Sequence, residues 1–474
     1  MGEETNVFKR TLESVPEIDA DCFILNADAI TNFMGIISNA NNNGENPLCI
    51  GSYILNSNAK AWLDGNKFFQ RHAVIAGSTG SGKSWTVATI IEQIATLNSS
   101  NAILFDIHGE YTPITGAGIK HYKIAGPTDI NDDATIFLPY WLLTYEEMMS
   151  MMIDRSDNNA PNQAMVFSRT VLEKKQDFLI QAGKNDLSKS ITIDSPVPYS
   201  MKELLAHLEA LNSEMVPGAR ANTEKAGDFN GKLSRFIQRI TAKLQDKRLN
   251  FLFSDDSTLC EYDYMNKLCL KLMSPASACG GVKIIDFSEV PSDVLPLIVS
   301  LIARLIFVVQ QWTSKDKINP IALFCDEAHL YIPNDAKQGI EVSSLSSFER
   351  IAKEGRKYGV SLVVITQRPS EVNRTVLSQS NNFIAMRLTN ADDQNVVKKL
   401  MPDSIGNFAD LLPILDIGEA IVVGDSCLLP SRIRIAEPKQ KPNSDTIKFW
   451  DEWAKKTTAI SIEEAVEALR KQSK

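Results

Sequence analysis

Eight consecutive residues, Gly77, Ser78, Thr79, Gly80, Ser81, Gly82, Lys83 and Ser84, match the spacing G-x-x-x-x-G-K-[ST]. The chemistry such a run serves is the cradling of phosphate. Glycines let the backbone wrap closely enough to aim N–H groups at phosphate oxygens. A helix starting at the end of the run adds its positive dipole end. Lys83 then reaches the β- and γ-phosphates, and the Ser84 hydroxyl ligates Mg²⁺. Trp85, next along, is grouped with the loop as a nucleotide contact. A glycine-rich turn that binds nothing is the bland alternative, and the Lys-Ser pair weighs against it. The expected ligands are ATP and Mg²⁺.

Residues 321–333 read IALFCDEAHLYIP. Asp326 ends an apolar run, where a Walker B carboxylate holds Mg²⁺ through water, and Glu327 is placed to act as general base on the attacking water. The letters DEAH invite comparison with helicases built on two RecA domains, but no second motif set follows. The run ending in ITQRPSEV (365–372) places Gln367 at another strand end, where an amide can contact both water and γ-phosphate. A solvated polar turn is its plain alternative. Upstream, SSFERIAKEGRKYGV (346–360) concentrates Arg350, Lys353, Arg356 and Lys357. The arginine fork suits phosphate oxygens in a transition state, and a single chain offers it no obvious partner site. An arginine finger given to a neighbouring subunit is therefore expected, from Arg356 first and Arg350 second, against a solvated basic face. FDIHGEY (105–111) carries Asp106, His108 and Glu110. They lack the second His or Cys cluster of a zinc site, so a role in positioning the nucleotide or an adjacent subunit is the better expectation.

These residues need a scaffold that brings strand ends together. Apolar runs at 72–77, 102–107, 283–288, 321–327, 361–367, 383–388 and 419–424 lead into polar turns. Near-continuous apolar runs fit strands buried on both faces. Val87, Ile90, Ile91, Ile94 and Leu97 follow Lys83 at helical spacing, so strand and helix alternate as in a parallel α/β sheet. Between about 135 and 280 the rhythm breaks into helical patterns at 145–153, 164–182, 201–215 and 231–249, with loops at 194–198 and 216–227. The expected organisation is a β-containing lead-in over 1–65 and a core of 66–135 and 280–437. A helical subdomain over 136–279 interrupts that core, and a C-terminal helical brace over 438–474 follows a polar linker at 438–443.

Composition bounds the rest. The chain has 474 residues, 49 basic against 58 acidic, a net charge of −9 and 44% apolar residues. That excludes a disordered tail and a histone-like DNA coat, but not a nucleic-acid partner, which needs only a local basic surface. One is available: 218–250 holds eight basic and three acidic residues, and Lys232, Arg235, Arg239 and Lys243 share a face of the 231–249 helix. That face fits DNA phosphates, or simply solvent. Seven scattered cysteines (Cys22, Cys49, Cys260, Cys269, Cys279, Cys325, Cys427) lack C-x-x-C spacing and are expected to be reduced thiols. The charged N-terminus is unlike a signal peptide. The longest apolar stretch, 294–309, contains Pro296 and Arg304 and falls short of the roughly 20 residues of a membrane span. A cytoplasmic protein without a membrane partner is expected.

Taken in order, the phosphate loop, FDIHGEY, DEAHLYIP, EGRKYGV and ITQRPS resemble the HerA family of the HerA–FtsK ATPases. The resemblance covers about 70–135 and 280–437. It implies a RecA-like P-loop NTPase core and a homo-hexameric, ATP-driven DNA translocase or helicase. It also implies a partner nuclease or another effector, in repair or in anti-phage defence. By motif, Lys83 and Ser84 serve phosphate and Mg²⁺, Asp326 and Glu327 are Walker B, and Gln367 is the sensor. Lys353 stands where the family often has arginine, and about 65 residues stand where it carries a β-barrel. Two rival readings remain. In one, an ATPase ring only assembles and activates an effector enzyme; in the other, a membrane-associated pump of the conjugation type moves DNA or protein. Phe449, Trp450 and Trp453 are available to pack on a neighbouring subunit or on their own.

Overall fold

The structure is a computed structural model. It describes residues 47–218, 220, 222–278, 280–336, 339–401, 410–427, 429–444, 447–454 and 462–472, with scattered positions between 19 and 37. The Asn-rich part of the lead-in up to residue 46, and Cys22 and Cys279, lie outside the described residues. Cys49, Cys260, Cys269 and Cys325 are free thiols.

Among the described residues, twelve strands form one sheet. They are β1 (Leu48–Tyr53), β2 (Asn56–Leu63), β3 (Ala73–Ala76), β4 (Asn101–Asp106), β5 (Ile119–Ile124), β6 (Thr135–Ile136), β9 (Gly281–Asp286), β10 (Ile321–Cys325), β11 (Val360–Thr366), β12 (Asn382–Met386), β13 (Glu419–Gly424) and β14 (Ser431–Ile435). The order across the sheet is β2-β1-β14-β13-β12-β3-β11-β10-β4-β9-β5-β6. From β12 to β6 every pairing is parallel, and from β12 to β2 every pairing is antiparallel. This is the α/β P-loop sheet, with an antiparallel wing added at one side. The β1–β2 hairpin of the lead-in belongs to that wing through β1 and β14.

The central strands read as apolar throughout because each face meets its own core. Val74 and Ala76, Ile103 and Phe105, Leu323 and Cys325, and Leu362 and Val364 enter one cluster. Ala73 and Ile75, Ala102 and Leu104, Phe324, and Val363 and Ile365 enter the other. Period-two alternation thus distributes apolar residues between two cores. The second core is covered by the helix Lys83–Ile94, whose Val87, Ile90, Ile91 and Ile94 face it.

Helices of the 136–279 region cover the first face together with the helix Leu295–Trp312. The latter is long and apolar enough by composition to cross a membrane, yet 72% of it is buried within the molecule, as in a core helix. The helix Tyr145–Met152 begins with a capping box between Thr144 and Glu147. Its Glu147 is almost fully buried and takes a two-pronged ion pair from Arg304, Nε at 3.0 Å and Nη2 at 2.8 Å. Arg304 also donates to the Leu142 carbonyl. The 216–227 segment, expected as loop, contains a short exposed hairpin of β7 (Met215–Pro217) and β8 (Glu224–Ala226).

Candidate active site

The phosphate loop begins where β3 ends. Its backbone is fixed from both sides of the strand: Gly77 N–H donates to the Thr366 carbonyl of β11, and Ser78 N–H to the Arg387 carbonyl just past β12. Gly80 and Gly82 take positive φ (72° and 109°), which L side chains rarely adopt. A Cβ on Gly77 would stand 2.5 Å from Ser81 Oγ and 2.8 Å from Met386 Cβ, so this position has no room for a larger residue. Ser81 is fully buried beneath the loop, whereas Thr79 and Gly80 are exposed at its tip. Thr86 secures the first turn by donating to the Gly82 carbonyl at 3.0 Å.

Five neighbouring strand ends converge here, those of β12, β3, β11, β10 and β4. Because β10 pairs with β11 and β4 with β10, the DEAH, ITQR and FDIHGEY turns lie along one edge. Ser84 Oγ donates to Glu110 Oε2 at 2.8 Å. Asp106 lies one turn behind and accepts the N–H groups of Glu110 (3.0 Å) and Tyr111 (2.9 Å), which shapes the FDIHGEY turn. Burial raises the Asp106 carboxyl to about 6 despite those donors. Gln367 Oε1 accepts the Thr79 hydroxyl at 2.6 Å, so its amide is tied to the tip of the glycine-rich loop.

Electrostatics give the site its character. Asp326 is buried, and burial pushes its carboxyl well above the usual range, helped by Glu327, Asp106 and Glu110 and opposed by Lys83. Burial likewise lowers the Lys83 ammonium, while Glu327, Asp326 and Glu110 act to restore it. Glu327 sits in the left-handed region at φ 45°, and its Oε2 is buried without a hydrogen-bond partner. One lysine therefore faces an excess of carboxylates, which suits a cation arriving with phosphates. The donor set also fits Mg²⁺. Among the described residues no three His, Cys, Asp or Glu side chains gather into a metal cage. Mg²⁺ needs only a hydroxyl and one or two carboxylates beside phosphate oxygens and water. Ser84 would hold it directly, with its proton given to Glu110, and Asp326 would hold it through water.

The arginines lie elsewhere. Arg356 is exposed just before β11 begins, so the length of that strand, roughly 20 Å, separates it from the phosphate edge of its own subunit. Arg350 is also on that far side. It stacks on Phe307 (5.1 Å to the ring centroid) and donates to Gln311 Oε1 at 2.9 Å. On the 234–245 helix, Arg239 pairs with Asp154, so part of the basic face is neutralised within the chain. Phe449, Trp450 and Trp453 are all exposed, with Phe449 packed edge-on against Trp453.

Sequence reasoning missed the strap at 436–443, read there partly as a linker. It runs along the phosphate-loop helix. Thr89 Oγ1 donates to the Ala436 carbonyl, and the N–H groups of Lys439 and Gln440 donate to the Glu92 carboxylate at 2.9 and 2.8 Å. Lys441 Nζ lies 4.8 Å from the centre of the Trp85 ring, and Asn443 N–H donates to the Glu110 carbonyl. The strap thus places one ammonium over the half-buried Trp85 ring. Only the polar, proline-flanked composition of 438–443 marks the segment in the sequence, and it carries no periodicity.

Comparison with known proteins agrees with this geometry. The model of the helicase HerA central domain matches residues 48–306, and that of the helicase HerA-like C-terminal region matches 205–433. The DNA double-strand break repair helicase HerA of Pyrococcus furiosus is 26% identical over 435 residues, 84% of this chain and 71% of that protein. The protein of the same name from Sulfolobus acidocaldarius is 26% identical over 387 residues, 81% of this chain and 68% of that one. Among solved structures, the plasmid coupling protein TrwB in complex with a non-hydrolysable ATP analogue aligns with TM-score 0.51 at 13% identity, covering 87% of this chain and 94% of that one. VirB4 of Thermoanaerobacter pseudethanolicus aligns with TM-score 0.50 at 16% identity, covering 84% and 98%. The two structural likenesses establish the fold.

Proposed function

This chain belongs to the HerA helicase family and is an ATPase of the helicase type, and from that premise we propose that it is an ATP-driven DNA translocase working as a homo-hexameric ring. The observation that carries the reading is the convergence of Lys83, Ser84, Glu110, Asp326, Glu327 and Gln367 on one strand edge, while Arg350 and Arg356 stand at the other. A chain with complementary parts at opposite edges is completed by head-to-tail association, which closes into a ring when the rotation allows.

In hydrolysis, Lys83 and the loop N–H groups hold the phosphates in line for attack. Ser84, and Asp326 through water, would hold Mg²⁺, which would supply neutralisation of phosphate charge. Glu327 takes the proton of the attacking water as its oxygen bonds to the γ-phosphorus, and ADP leaves with the bridging oxygen. Gln367 exchanges Thr79 for the γ-phosphate or the water, and so reports which nucleotide is bound. An arginine from the neighbour, Arg356 or Arg350, meets the charge that develops on the transferring group. The relatives are named as DNA repair helicases, and DNA is the substrate proposed here. A partner nuclease or defence effector, and a cytoplasmic setting, complete the proposal.

The test is ATP turnover with and without DNA, alongside displacement of a duplex strand, for the unaltered protein and Glu327→Gln. DNA should raise turnover severalfold, and the variant should bind ATP yet neither hydrolyse it nor move. Turnover indifferent to DNA, with an effector still activated by the variant, would replace the motor by an assembly scaffold.

A further inference from the structure

The catalytic carboxylate of the proposed reaction is held by very little. Glu327 follows directly on the buried Asp326, takes a left-handed backbone conformation and leaves Oε2 buried without a hydrogen bond. An unpaired buried carboxylate oxygen is expensive, so a polar neighbour within reach bears on how the group is used. That neighbour is His329. Its Nδ1 lies 3.3 Å from Glu327 Oε2, and both side chains are about nine-tenths buried (9% and 10% exposed). The same Nδ1 lies 3.3 Å from Thr366 Oγ1. Thr366 is fully buried, and its hydroxyl oxygen also accepts the N–H of Arg368 at 3.0 Å. Thr366 is the last residue of β11 and directly precedes Gln367, whose amide is bonded to Thr79 of the phosphate loop.

We propose that His329 is the positioning residue of Glu327. Its single Nδ1–H is the donor that fixes the carboxylate for proton abstraction, and Thr366 Oγ1, a second acceptor for that same N–H, keeps the ring turned toward the site. Burial lowers the basicity of His329 despite the carboxylates of Glu327 and Glu371, so the ring is neutral and carries one N–H. A carboxylate can only accept, so the pair is satisfied when that N–H is on Nδ1. At 3.3 Å the contact is loose, and catalytic hydrogen bonds of this kind tighten once substrate is bound. Thr366 supplies the reason for tightening. The γ-phosphate that takes Gln367 away from Thr79 moves the end of β11, and Thr366 passes that movement to His329. The base is thereby set only when the sensor has found a triphosphate. This inference rests on Glu327 being the general base.

The experiment uses the full chain and measures kcat and KM for ATP with DNA present, together with the Kd of a non-hydrolysable ATP analogue, for His329→Ala, His329→Asn, Thr366→Val, Thr366→Ser, Glu327→Gln and Glu327→Gln/His329→Ala. Asparagine places an amide N–H where Nδ1 stands. The expected result is a kcat lowered roughly tenfold or more in His329→Ala, within the range of general-base effects, with analogue affinity within about twofold of the unaltered protein. His329→Asn should recover most of the rate, Thr366→Val should fall between, and Thr366→Ser should be near normal. The double variant should be no slower than Glu327→Gln alone, as for residues acting as a unit. A normal kcat in His329→Ala overturns the proposal. So does equal slowing in His329→Ala and His329→Asn, which would make the role structural, and so does full additivity in the double variant. Undiminished hydrolysis by Glu327→Gln is a separate outcome that removes the general-base assignment itself, and the proposal with it.

Discussion

Glu110 is the residue whose removal most directly tests how the site holds its metal. Its carboxylate accepts the Ser84 hydroxyl at 2.8 Å and stands close enough to Lys83 and Asp326 to influence both. A hydroxyl that gives its lone pair to Mg²⁺ must direct its proton elsewhere, and Glu110 is the acceptor already in place. A hydrogen bond to a charged acceptor contributes about 1.5–3 kcal/mol and a neutral one about 0.5–1.5 kcal/mol. Glu110→Gln keeps an acceptor oxygen but loses the charge. The difference of about 1–1.5 kcal/mol corresponds to a roughly tenfold rise in the Mg²⁺ needed for half-saturation. Glu110→Ala removes the bond altogether, about 2 kcal/mol, and the rise becomes roughly thirtyfold. The main-chain carbonyl of Glu110, which receives the Asn443 N–H, is untouched by either change. The assay is a Mg²⁺ titration of the binding of a fluorescent ATP analogue, with metal-free binding as the reference. Metal-free binding should change little. If Glu110→Ala bound nucleotide with half-saturating Mg²⁺ within twofold of the unaltered protein, Glu110 would have no part in orienting Ser84.

Mixing Lys83→Ala protein with Arg356→Ala protein should restore a measurable part of the hydrolysis that each has lost, because sites formed between them pair an intact loop with an intact arginine; the same mixture with Arg350→Ala reports on the second candidate, and no restoration by either would remove the shared site. Arg304→Met should destabilise the chain by about 3–5 kcal/mol, the usual cost of leaving a buried partner charge uncompensated, seen as a lower denaturant midpoint and faster proteolysis within 136–279; an unchanged midpoint would mean that Glu147 is not anchored there. Lys283 is buried, donates to Asn101 Oδ1 and to the Ser274 carbonyl, and is lowered by burial to about 7 against 10.5 in the unfolded chain. Between those values the unfolded state binds more protons, so this lysine opposes folding most at and below pH 7 and releases that penalty as pH rises toward 10. Any stability gained by Lys283→Met should therefore be greatest near pH 7 and shrink at higher pH, and a gain independent of pH would contradict the shift.

The strand–loop–helix unit around Gly77–Ser84 could be read without a structure because its signature is local. The eight residues of the loop supply glycines, lysine and hydroxyl within one turn, and the flanking strand and helix announce themselves by apolar pattern. The seven apolar runs likewise became strands, because burial on both faces leaves no room for polar alternation. Outside those runs, and beyond the β-containing lead-in, β5, β6 and β14 went unmarked: β5 reads IKHYKI, with only Tyr122 and Ile124 buried, β6 is two residues long, and β14 lies in the antiparallel wing. At such positions neighbouring strands, rather than composition, make the strand. His329 is the corresponding omission at the site, since nothing in the letters DEAH says that the ring turns toward Glu327 and Thr366.

The sequence by itself marked the segments from which the proposed chemistry is drawn, since a glycine-rich loop, an acidic strand end and a strand-end glutamine are each defined within a few residues. Tertiary structure alone decided their company. The insertion of β11 between β3 and β10 brings Gln367 to Thr79 and Thr366 to His329. The register of β4 on β10 brings Glu110 to Ser84. The direction of β11 sends Arg356 to the edge away from its own nucleotide site. The physical reason is that parallel strands gather their ends from distant parts of the chain, and a pairing between residues 26 or 288 positions apart leaves no trace in local composition.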